Sequence, residues 1–483
     1  MKICSSLRKK AHRLWKCSIH NTLVEKLLYS SYVFSVYWIS LLHLLDNMSE
    51  VFIIDLIHCR CPQHSSCVER QVKSVTGRSD VGFQIYLLFG PHGQRCNPNG
   101  ENKVSLLETF FSQKTNVHVL DYTTVTESWY RFKLAVDQLD LRTVLLFTSK
   151  NRRPMFEAYI VQLFTEVYTF EYVTSNDRPC PGHVQCDSPL APPVSEVREE
   201  VRSFLQQLPA KGDITILRST FISDCFSHGF TTRTGGISSI STLSSLNLFS
   251  SSRRRDPRTL VAENIRRLAQ KAGFFPRLLH LVKVNHGSDV WVMGKEEEPH
   301  DYDGIVTNQR GVVIAAPGAD CMPLLFTDPV ARVIGVAHAG WKGTLMGVAM
   351  ATVNAMVMGF GSRACDVTVV IGPSVGACCF TLEREQAADF YSIHPDCVPD
   401  MAETRPHVNI RLATRILLQR EGVLPEHIHD DTVTDRPSVT LCTSCHPEAF
   451  FSRVRDGLDF GTQMGFLWMD ETGTTDCFSS SEH

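Results

Sequence analysis

Residues 333–343 have the sequence Val-Ile-Gly-Val-Ala-His-Ala-Gly-Trp-Lys-Gly, and this stretch indicates the fold of the C-terminal half of the chain. The run 333–337 is apolar, rich in β-branched residues and short, which is typical of a buried strand. His338 follows at the strand end, and the small residues after it allow a sharp turn. Residues 344–358 are nearly all apolar or small and predict a buried helix that ends at Gly359. A strand, a histidine and a helix in this order predict an α/β fold that presents a functional side chain.

Two further turns present donor atoms after apolar runs. His286 follows the run 278–284 within Val-Asn-His-Gly, and Cys321 follows the run 312–316 within Pro-Gly-Ala-Asp-Cys. Two imidazoles and one thiolate suit zinc, and three protein ligands leave a fourth tetrahedral position for water or substrate. His286, Cys321 and His338 are therefore candidate catalytic metal ligands. Spacing alone leaves the ordinary alternative open, in which the histidines are hydrogen-bonded polar groups and the cysteine is a small buried hydrophobe.

Six motifs in a fixed order give the chain a resemblance to a known family. They are Phe-Thr-Thr-Arg-Thr-Gly-Gly-Ile-Ser at 230–238, Ser-Leu-Asn-Leu at 245–248, Gly-Ala-Asp-Cys-Met-Pro at 318–323, His-Ala-Gly-Trp-Lys-Gly at 338–343, Ile-Gly-Pro-Ser-Val-Gly at 371–376 and Phe-Phe-Ser-Arg-Val-Arg-Asp-Gly at 450–457. From about residue 214 to residue 469 the chain resembles the laccase-domain family, once described as multicopper polyphenol oxidases and now regarded as zinc-dependent purine nucleoside phosphorylases. The resemblance implies a laccase-domain fold in which His286, Cys321 and His338 hold zinc.

The resemblance also implies an activity. It implies phosphorolysis of inosine, guanosine, adenosine and 5′-methylthioadenosine, with adenosine deamination as a companion reaction, so that purine nucleosides and phosphate are the expected partners. Arg233 lies in a Thr-Arg-Thr-Gly-Gly loop, either as a phosphate ligand or as a structural arginine. The resemblance raises Asn247 as a substrate contact, the alternative being a residue that pins a turn. Lys342 is a further phosphate candidate, because it precedes a predicted helix start, where N–H groups favour anions. Asp320 either orients a metal ligand or caps a turn.

Two other classes of function stay open. A copper-dependent phenol oxidase needs several His-x-His pairs for its trinuclear cluster. Only residues 427–429 have that form, in what we expect to be a solvated loop, so copper is the second choice of metal after zinc. The other class is a non-enzymatic adaptor with a vestigial pocket, which the intact ligand residues argue against. Residues 442–446, Cys-Thr-Ser-Cys-His, match the haem-attachment pattern, but nothing else supports haem. A second zinc is also not expected, since no second cysteine pair has zinc-finger spacing.

The composition is typical of a soluble chain with two domains. The 483 residues include 43% hydrophobic and 20% charged residues, and the net charge of −3 predicts no affinity for nucleic acid or anionic membrane. Residues 48–175 alternate apolar and amphipathic stretches, which predicts a small α/β domain whose role and protein partner the sequence does not reveal. The predicted strands are 51–57, 83–89, 117–120 and 144–148, and the predicted helices are 103–112, 126–138 and 155–168. A proline-rich linker at 176–193 precedes the predicted catalytic domain, 194–483, which opens with a helix at 194–208.

The first 47 residues differ from the rest. Basic residues precede an apolar stretch at 27–45, whose length is near the lower limit for a membrane anchor. Met48-Ser49-Glu50 is a natural start, so we favour an N-terminal extension over residues 1–47 and expect no membrane span from Met48 onward. The 17 cysteines are irregularly grouped. A reduced cytoplasmic setting is the simpler account of them, with nuclear, endoplasmic reticulum or peroxisomal association as alternatives.

Overall fold

The structure is a computed structural model that describes residues 51–57, 84–89, 116–148, 150–174 and 192–470. The predicted extension at 1–47, the predicted helix at 103–112 and the predicted linker as far as residue 191 lie outside the described residues. Within the described ranges, no helix combines the length and the apolar character that a membrane crossing requires. Sheets and helices alternate in the N-terminal part and are mixed in the C-terminal part, so the predicted α/β (α+β) class is confirmed.

The N-terminal part is built on a five-stranded parallel sheet. Its strands are β1 (Val51–Asp55), β2 (Gln84–Leu88), β3 (Val117–Leu120), β4 (Thr143–Thr148) and β5 (Thr169–Thr174), in the order β3-β2-β1-β4-β5. Successive side chains point to opposite faces, so that Val51 and Ile53 join one apolar cluster while Phe52 and Ile54 join another. The four predicted strands are confirmed. The helix predicted at 155–168 ends earlier, at Leu163, and residues 164–168 connect it to β5.

Three helices share the apolar cluster on one face of this sheet. They are α1 (Val125–Gln138), α2 (Arg153–Leu163) and α3 (Val194–Gln207). The Thr124 hydroxyl accepts a hydrogen bond from the Glu127 N–H at 3.0 Å and so caps the start of α1. The helix predicted at 194–208 is confirmed as α3. Its buried residues, Val197, Val201 and Leu205, pack into the N-terminal cluster.

The described C-terminal residues form two sheets. Their strands are β6 (Ile216–Leu217), β7 (Ser227–Thr231), β8 (Leu279–Leu281), β9 (Val290–Val292), β10 (Gly304–Thr307), β11 (Val313–Gly318), β12 (Met322–Asp328), β13 (Val333–Ala339), β14 (Thr368–Ile371), β15 (Ile428–His429) and β16 (Gln463–Trp468). One sheet has the order β15-β14-β12-β13-β10-β9 and the other β6-β7-β16-β11-β8. The expectation of a solvated loop at 427–429 is wrong, since Ile428 and His429 form a buried strand at the sheet edge.

The C-terminal helices depart from the prediction around residue 347. They are α4 (Arg258–Ala272), α5 (Trp341–Met346), α6 (Val348–Phe360), α7 (Arg384–Ile393), α8 (Ile410–Arg420) and α9 (Arg453–Asp456). The helix predicted at 344–358 is two helices, because Gly347 adopts a φ of +83°, which interrupts the helical hydrogen bonding. The second of them ends at Gly361 and not at Gly359. Burial is incomplete as well, since Met358 is 86% exposed.

Strand register brings the candidate site together. In the antiparallel pair β12–β13, Pro323 lies opposite His338, so the residue before β12, Cys321, falls beside Gly340. In the antiparallel pair β10–β13, Gly304 lies opposite Ala337, and the preceding residue, Asp303, accepts the His338 N–H on its carbonyl oxygen at 2.8 Å. The ends of three neighbouring strands therefore meet at one edge of the six-stranded sheet.

The N-terminal and C-terminal parts pack against each other through both apolar and polar groups. Leu260 of α4 belongs to the same cluster as the N-terminal helices. Arg255, which is 3% exposed, forms ion pairs with Asp137 and Asp140 at the end of α1. The Arg267 guanidinium donates to the Leu208 carbonyl at 2.6 Å. The boundaries at residues 175 and 194 stay a prediction, but the two parts share a core.

Candidate metal centre

The three side chains predicted as metal ligands lie together. The ligand atoms of His286, Cys321 and His338 are all within 4.8 Å of one another. His286 is in the loop between β8 and β9 with a φ of +64°, a conformation that directs its ring toward the other two. The two imidazole rings are perpendicular, with centroids 5.0 Å apart. A Cβ atom on Gly340 would lie 2.9 Å from the Cys321 sulfur, so only glycine leaves this space open.

A buried carboxylate, Asp303, holds two of these ligands in position. Its Oδ1 lies 2.8 Å from Nδ1 of His338, and its side chain is fully buried. Its Oδ2 accepts the backbone N–H groups of Asn285, at 3.1 Å, and of Gly287, at 2.8 Å, on either side of His286. The carboxylate therefore keeps the proton of His338 on Nδ1 and leaves Nε2 free to bind a metal. No motif in the sequence marks Asp303 as a partner of the candidate ligands.

The protonation of the group also suits a metal. Burial alone would raise the pKa of the Cys321 thiol, but the charge and hydrogen bonds of His338, together with His286, outweigh it and bring the pKa down to about 6. Burial likewise lowers the pKa of His338, and the Cys321 thiolate and Asp303 raise it to about 9. At neutral pH the pair is therefore a thiolate and an imidazolium. The thiolate is the form that binds metals, and a bound metal would replace the Nε2 proton of His338.

The three ligands line a cavity of about 570 Å³. This volume falls in the range of about 300–1,000 Å³ that is usual for small-molecule sites. Besides the ligands and several small or aliphatic residues, its lining includes two aromatic side chains, five arginines and one carboxylate: Phe249, Phe460, Arg142, Arg253, Arg254, Arg255, Arg453 and Asp459. An aromatic, strongly cationic cavity next to a candidate metal centre suits a flat, anionic or phosphate-bearing ligand.

The five arginines differ in how they are already paired. Arg254 donates to the Thr462 hydroxyl at 2.6 Å and lies over the Phe460 ring at 4.0 Å. Arg255 forms the ion pairs with α1 described above. The remaining three are exposed and have no ion-pair partner within the described part of the chain: Arg142, Arg253 and Arg453. Arg142 precedes β4, so the N-terminal part also contributes a cation to this cavity.

Two candidate substrate contacts have structural partners and are not among the cavity-lining residues. The Arg233 guanidinium donates to the carbonyl oxygens of Ser241, Ser244 and Pro447 at 2.7 to 2.8 Å. Asn247 is fully buried, and its side-chain oxygen accepts the Thr462 N–H at 3.1 Å. These contacts agree with the alternatives stated for both residues, a structural arginine and a residue that pins a turn.

Lys342 and Asp320 are also not among the cavity-lining residues. Lys342 is exposed, and its ammonium lies over the Trp341 ring at 5.4 Å, in a helix of only six residues. The Asp320 carboxylate accepts the Thr443 hydroxyl and the Val454 N–H, both at 2.6 Å. Asp320 thus connects the turn before Cys321 to the loop that contains Thr443 and to the start of α9, whereas the carboxylate that contacts a candidate ligand is Asp303.

Asp459 is the one carboxylate among the described residues that line the cavity. Burial raises the pKa of its carboxyl, although the nearby Arg255, Arg254 and Arg142 lower it. Its Oδ1 is buried and has no hydrogen-bond partner among the described residues. A carboxyl group in this setting is suited to holding and delivering a proton. No local sequence signal distinguished Asp459 from the other acids of the chain.

Comparison with known proteins gives a consistent assignment. Residues 227–470 match the family model described as multi-copper polyphenol oxidoreductase laccase. The protein named purine nucleoside phosphorylase LACC1 from Mus musculus is 51% identical over 438 residues, which span 88% of this chain and all of that protein. The Homo sapiens protein of the same name is 48% identical, with the same shares of both chains.

Bacterial proteins match the C-terminal part. Purine nucleoside phosphorylase YlmD from Geobacillus stearothermophilus is 33% identical over 267 residues, 51% of this chain and 91% of that protein. The crystal structure of YlmD from the same organism aligns with 55% of this chain and 99% of its own, at 28% identity and a TM-score of 0.48. From the match to the family model and the identity to both mammalian relatives over their whole length, the chain belongs to the multi-copper polyphenol oxidoreductase laccase family.

Proposed function

We propose that the chain is a zinc-dependent purine nucleoside phosphorylase that also deaminates adenosine. The observation that carries the proposal is the convergence of His286, Cys321 and His338 on a cavity with three arginines that have no ion-pair partner among the described residues. The names of its relatives, purine nucleoside phosphorylases, support the same activity. We propose inosine, guanosine, adenosine and 5′-methylthioadenosine as nucleoside substrates, with phosphate as the second substrate.

The three donors fit zinc better than copper. Two neutral imidazole nitrogens and one thiolate form a common zinc ligand set, and the fourth position stays available on the cavity side. Asp303 on Nδ1 of His338 is the outer carboxylate that such sites usually have. When bound, zinc supplies a Lewis acid and a water of lowered pKa. A multicopper oxidase needs several more histidine ligands. Within the described residues, the possible metal-binding group that contains histidine has only two of them, His286 and His338.

The cavity residues divide the work of phosphorolysis. The bond between C1′ of the ribose and the purine nitrogen breaks, a phosphate oxygen bonds to C1′, and the leaving purine takes up a proton. Arg142, Arg253 and Arg453 are the proposed phosphate ligands, since none of their guanidinium groups forms an ion pair with a carboxylate in the described part of the chain. Asp459 is the proposed proton donor to the purine. The rings of Phe249 and Phe460 provide apolar contact for the base.

Deamination requires a different set of these residues. Water adds at C6 of adenosine and ammonia leaves, so that neither phosphate nor its arginines take part. The proposed division therefore predicts that the two activities respond differently to changes in the arginines, and equally to loss of a metal ligand.

Product analysis by chromatography tests the proposal. Inosine incubated with the purified protein should give hypoxanthine and ribose 1-phosphate only when phosphate is present, and adenosine should give inosine without phosphate. Cys321→Ala should abolish both reactions and lower the zinc content of the protein, because a three-ligand site that loses its thiolate binds zinc more weakly. The matched control Cys365→Ser changes a cysteine outside the cavity and should keep both activities. Oxidation of a phenolic dye precursor with added copper, with no base released from any nucleoside, would contradict the proposal.

A further inference from the structure

A second group of metal-binding side chains lies outside the cavity. The sulfur atoms of Cys378, Cys379, Cys442 and Cys445 are all within 4.8 Å of one another. The first two are in the loop after β14, and the other two are in the loop before α9, about sixty residues later in the chain. The sulfur of Cys445 lies 3.5 Å from that of Cys378 and 3.4 Å from that of Cys379. We refer to these four residues as the cysteine cluster.

We propose that the cysteine cluster binds one structural zinc ion. Four thiolates around zinc at about 2.3 Å form a tetrahedron whose sulfurs are about 3.8 Å apart. The two distances from the Cys445 sulfur, 3.4 and 3.5 Å, are slightly below that value, and no sulfur–sulfur distance in the cluster exceeds 4.8 Å. All four tetrahedral positions are then filled by protein, which is the pattern of a structural zinc site. The proposal is independent of the function assigned to the cavity.

A single disulfide explains the arrangement less well. It would join two of the four sulfurs and leave two thiols beside it, whereas Cys445 lies almost equally close to Cys378 and to Cys379. Equal approach to two neighbours is expected when the sulfurs share a central ion. The spacing Cys-x-x-Cys at 442–445 is also the usual half of a structural zinc site.

Backbone groups around the cluster suit thiolates. The Gly376 N–H donates to the Cys442 sulfur at 3.3 Å. A Cβ atom on Gly376 would lie 3.2 Å from the Cys378 sulfur, so glycine permits the close approach of the loop. N–H donors to sulfur are the outer contacts that tune thiolate metal sites.

The proposed zinc would fix two loops that also reach the cavity side of the molecule. Thr443, between two of the ligands, donates to the Asp320 carboxylate at 2.6 Å, and Asp320 precedes Cys321. The Val375 N–H donates to the Asp320 carbonyl at 3.0 Å. Four thiols release up to four protons when zinc binds, and the two loops become cross-linked without a disulfide. Loss of this zinc should therefore lower thermal stability and loosen the turn that carries Cys321.

Metal content of the purified full-length protein under reducing conditions tests the proposal. The wild type should contain two zinc ions per chain, one in each site. Cys378→Ser/Cys445→Ser should lose one of them, and the control Cys365→Ser should lose none. Cys321→Ala/His338→Ala should retain the zinc of the cysteine cluster, which separates failure of this site from failure of the cavity site.

A spectroscopic readout covers the case in which the serine variant does not fold. Cobalt(II) alone, added to the metal-free Cys321→Ala/His338→Ala protein, should give the intense sulfur-to-cobalt charge-transfer and visible bands of a tetrahedral four-thiolate site. A spectrum without those bands would overturn the proposal. So would peptide mass spectrometry that finds these cysteines joined in disulfides in freshly isolated protein that contains no zinc at the cluster.

Discussion

Asp303→Asn is the most informative single substitution at the candidate metal centre. Its Oδ2 accepts two backbone N–H groups, those of Asn285 and Gly287, and its Oδ1 faces Nδ1 of His338. The amide oxygen of asparagine must stay on the side of the two donors, since an NH₂ group there would face two N–H groups. The NH₂ group then points at Nδ1 of His338. The histidine must accept this hydrogen bond on Nδ1 and carry its own proton on Nε2, so the nitrogen that would bind zinc is blocked.

The expected magnitude follows from the burial of this pair. Asp303 is fully buried and the His338 side chain is 6% exposed, so that water cannot replace the lost contact. Loss of an outer carboxylate of this kind weakens metal binding by about 10- to 100-fold. That change corresponds to about 1.4 to 2.8 kcal/mol of binding free energy. Turnover should fall at least as far at limiting zinc, because both proposed reactions use the same metal.

Competition with a chromophoric zinc chelator measures the effect. The titration is made in the Cys378→Ser/Cys445→Ser background, so that the cysteine cluster does not contribute zinc. Asp301→Asn is the matched control: it is the same chemical change two residues earlier, in an Asp–His pair whose His300 is 97% exposed. Circular dichroism checks that each variant is folded. A zinc dissociation constant for Asp303→Asn within about twofold of the control would refute the orienting role of the carboxylate.

Three further predictions concern the cavity and the fold. Arg142→Ala should raise the phosphate KM about 10-fold or more, because one charged hydrogen bond to phosphate is lost, and it should leave deamination unchanged. Steady-state kinetics of both reactions test this prediction, with Lys342→Ala as the control that removes a charge outside the cavity lining. Equal losses in both reactions would contradict it. Asp459→Asn should lower the kcat of phosphorolysis about 100-fold. Asp459 donates a proton only below its pKa, which burial raises. The rate of the wild type should therefore fall as pH rises above that pKa, and the asparagine variant should not show this fall. His228 has a pKa lowered to about 4 by burial. As pH falls, the unfolded protein protonates His228 at a higher pH than the folded protein does. The free energy of unfolding should therefore decrease by about 2 kcal/mol between pH 7 and pH 5. Urea unfolding at both pH values should show a smaller drop for His228→Gln.

The three candidate metal ligands could be predicted from the sequence because each lies in a short turn after an apolar run. Such turns expose a side chain at a strand end whatever the pairing of the strands. The residue that positions His338 could not be predicted from the sequence. Asp303 becomes its partner only through the antiparallel register of β10 with β13, a contact between segments more than thirty residues apart. Alternation within a strand predicts which face a residue occupies, but it does not predict the neighbouring strand.

Charged side chains in loops were the least predictable feature. Arg233 lies in a polar glycine-containing loop, as a phosphate ligand often does. Its guanidinium instead donates hydrogen bonds to three backbone carbonyl oxygens, one of which belongs to Pro447. Which carbonyls lack partners depends on how distant loops meet. The cysteine cluster likewise forms only where two distant loops meet. A Cys-Cys pair and a Cys-x-x-Cys pair carry no sign of each other in sequence, and the Ser374–Cys442 bridge between their loops brings them together.

The proline-rich composition near residues 176–193 predicts a linker, yet the groups on either side of it are physically joined. The apolar face of α3, with Val197 and Leu205, is buried against the N-terminal helices and would be exposed in a fragment that began after the linker. Arg142 of the N-terminal part lines the same cavity as His338 of the C-terminal part. A proline-rich composition indicates how two elements are connected along the chain, but not how their surfaces pack. The N-terminal part therefore contributes to this protein in two ways, by covering an apolar face and by placing a cation beside the candidate metal centre.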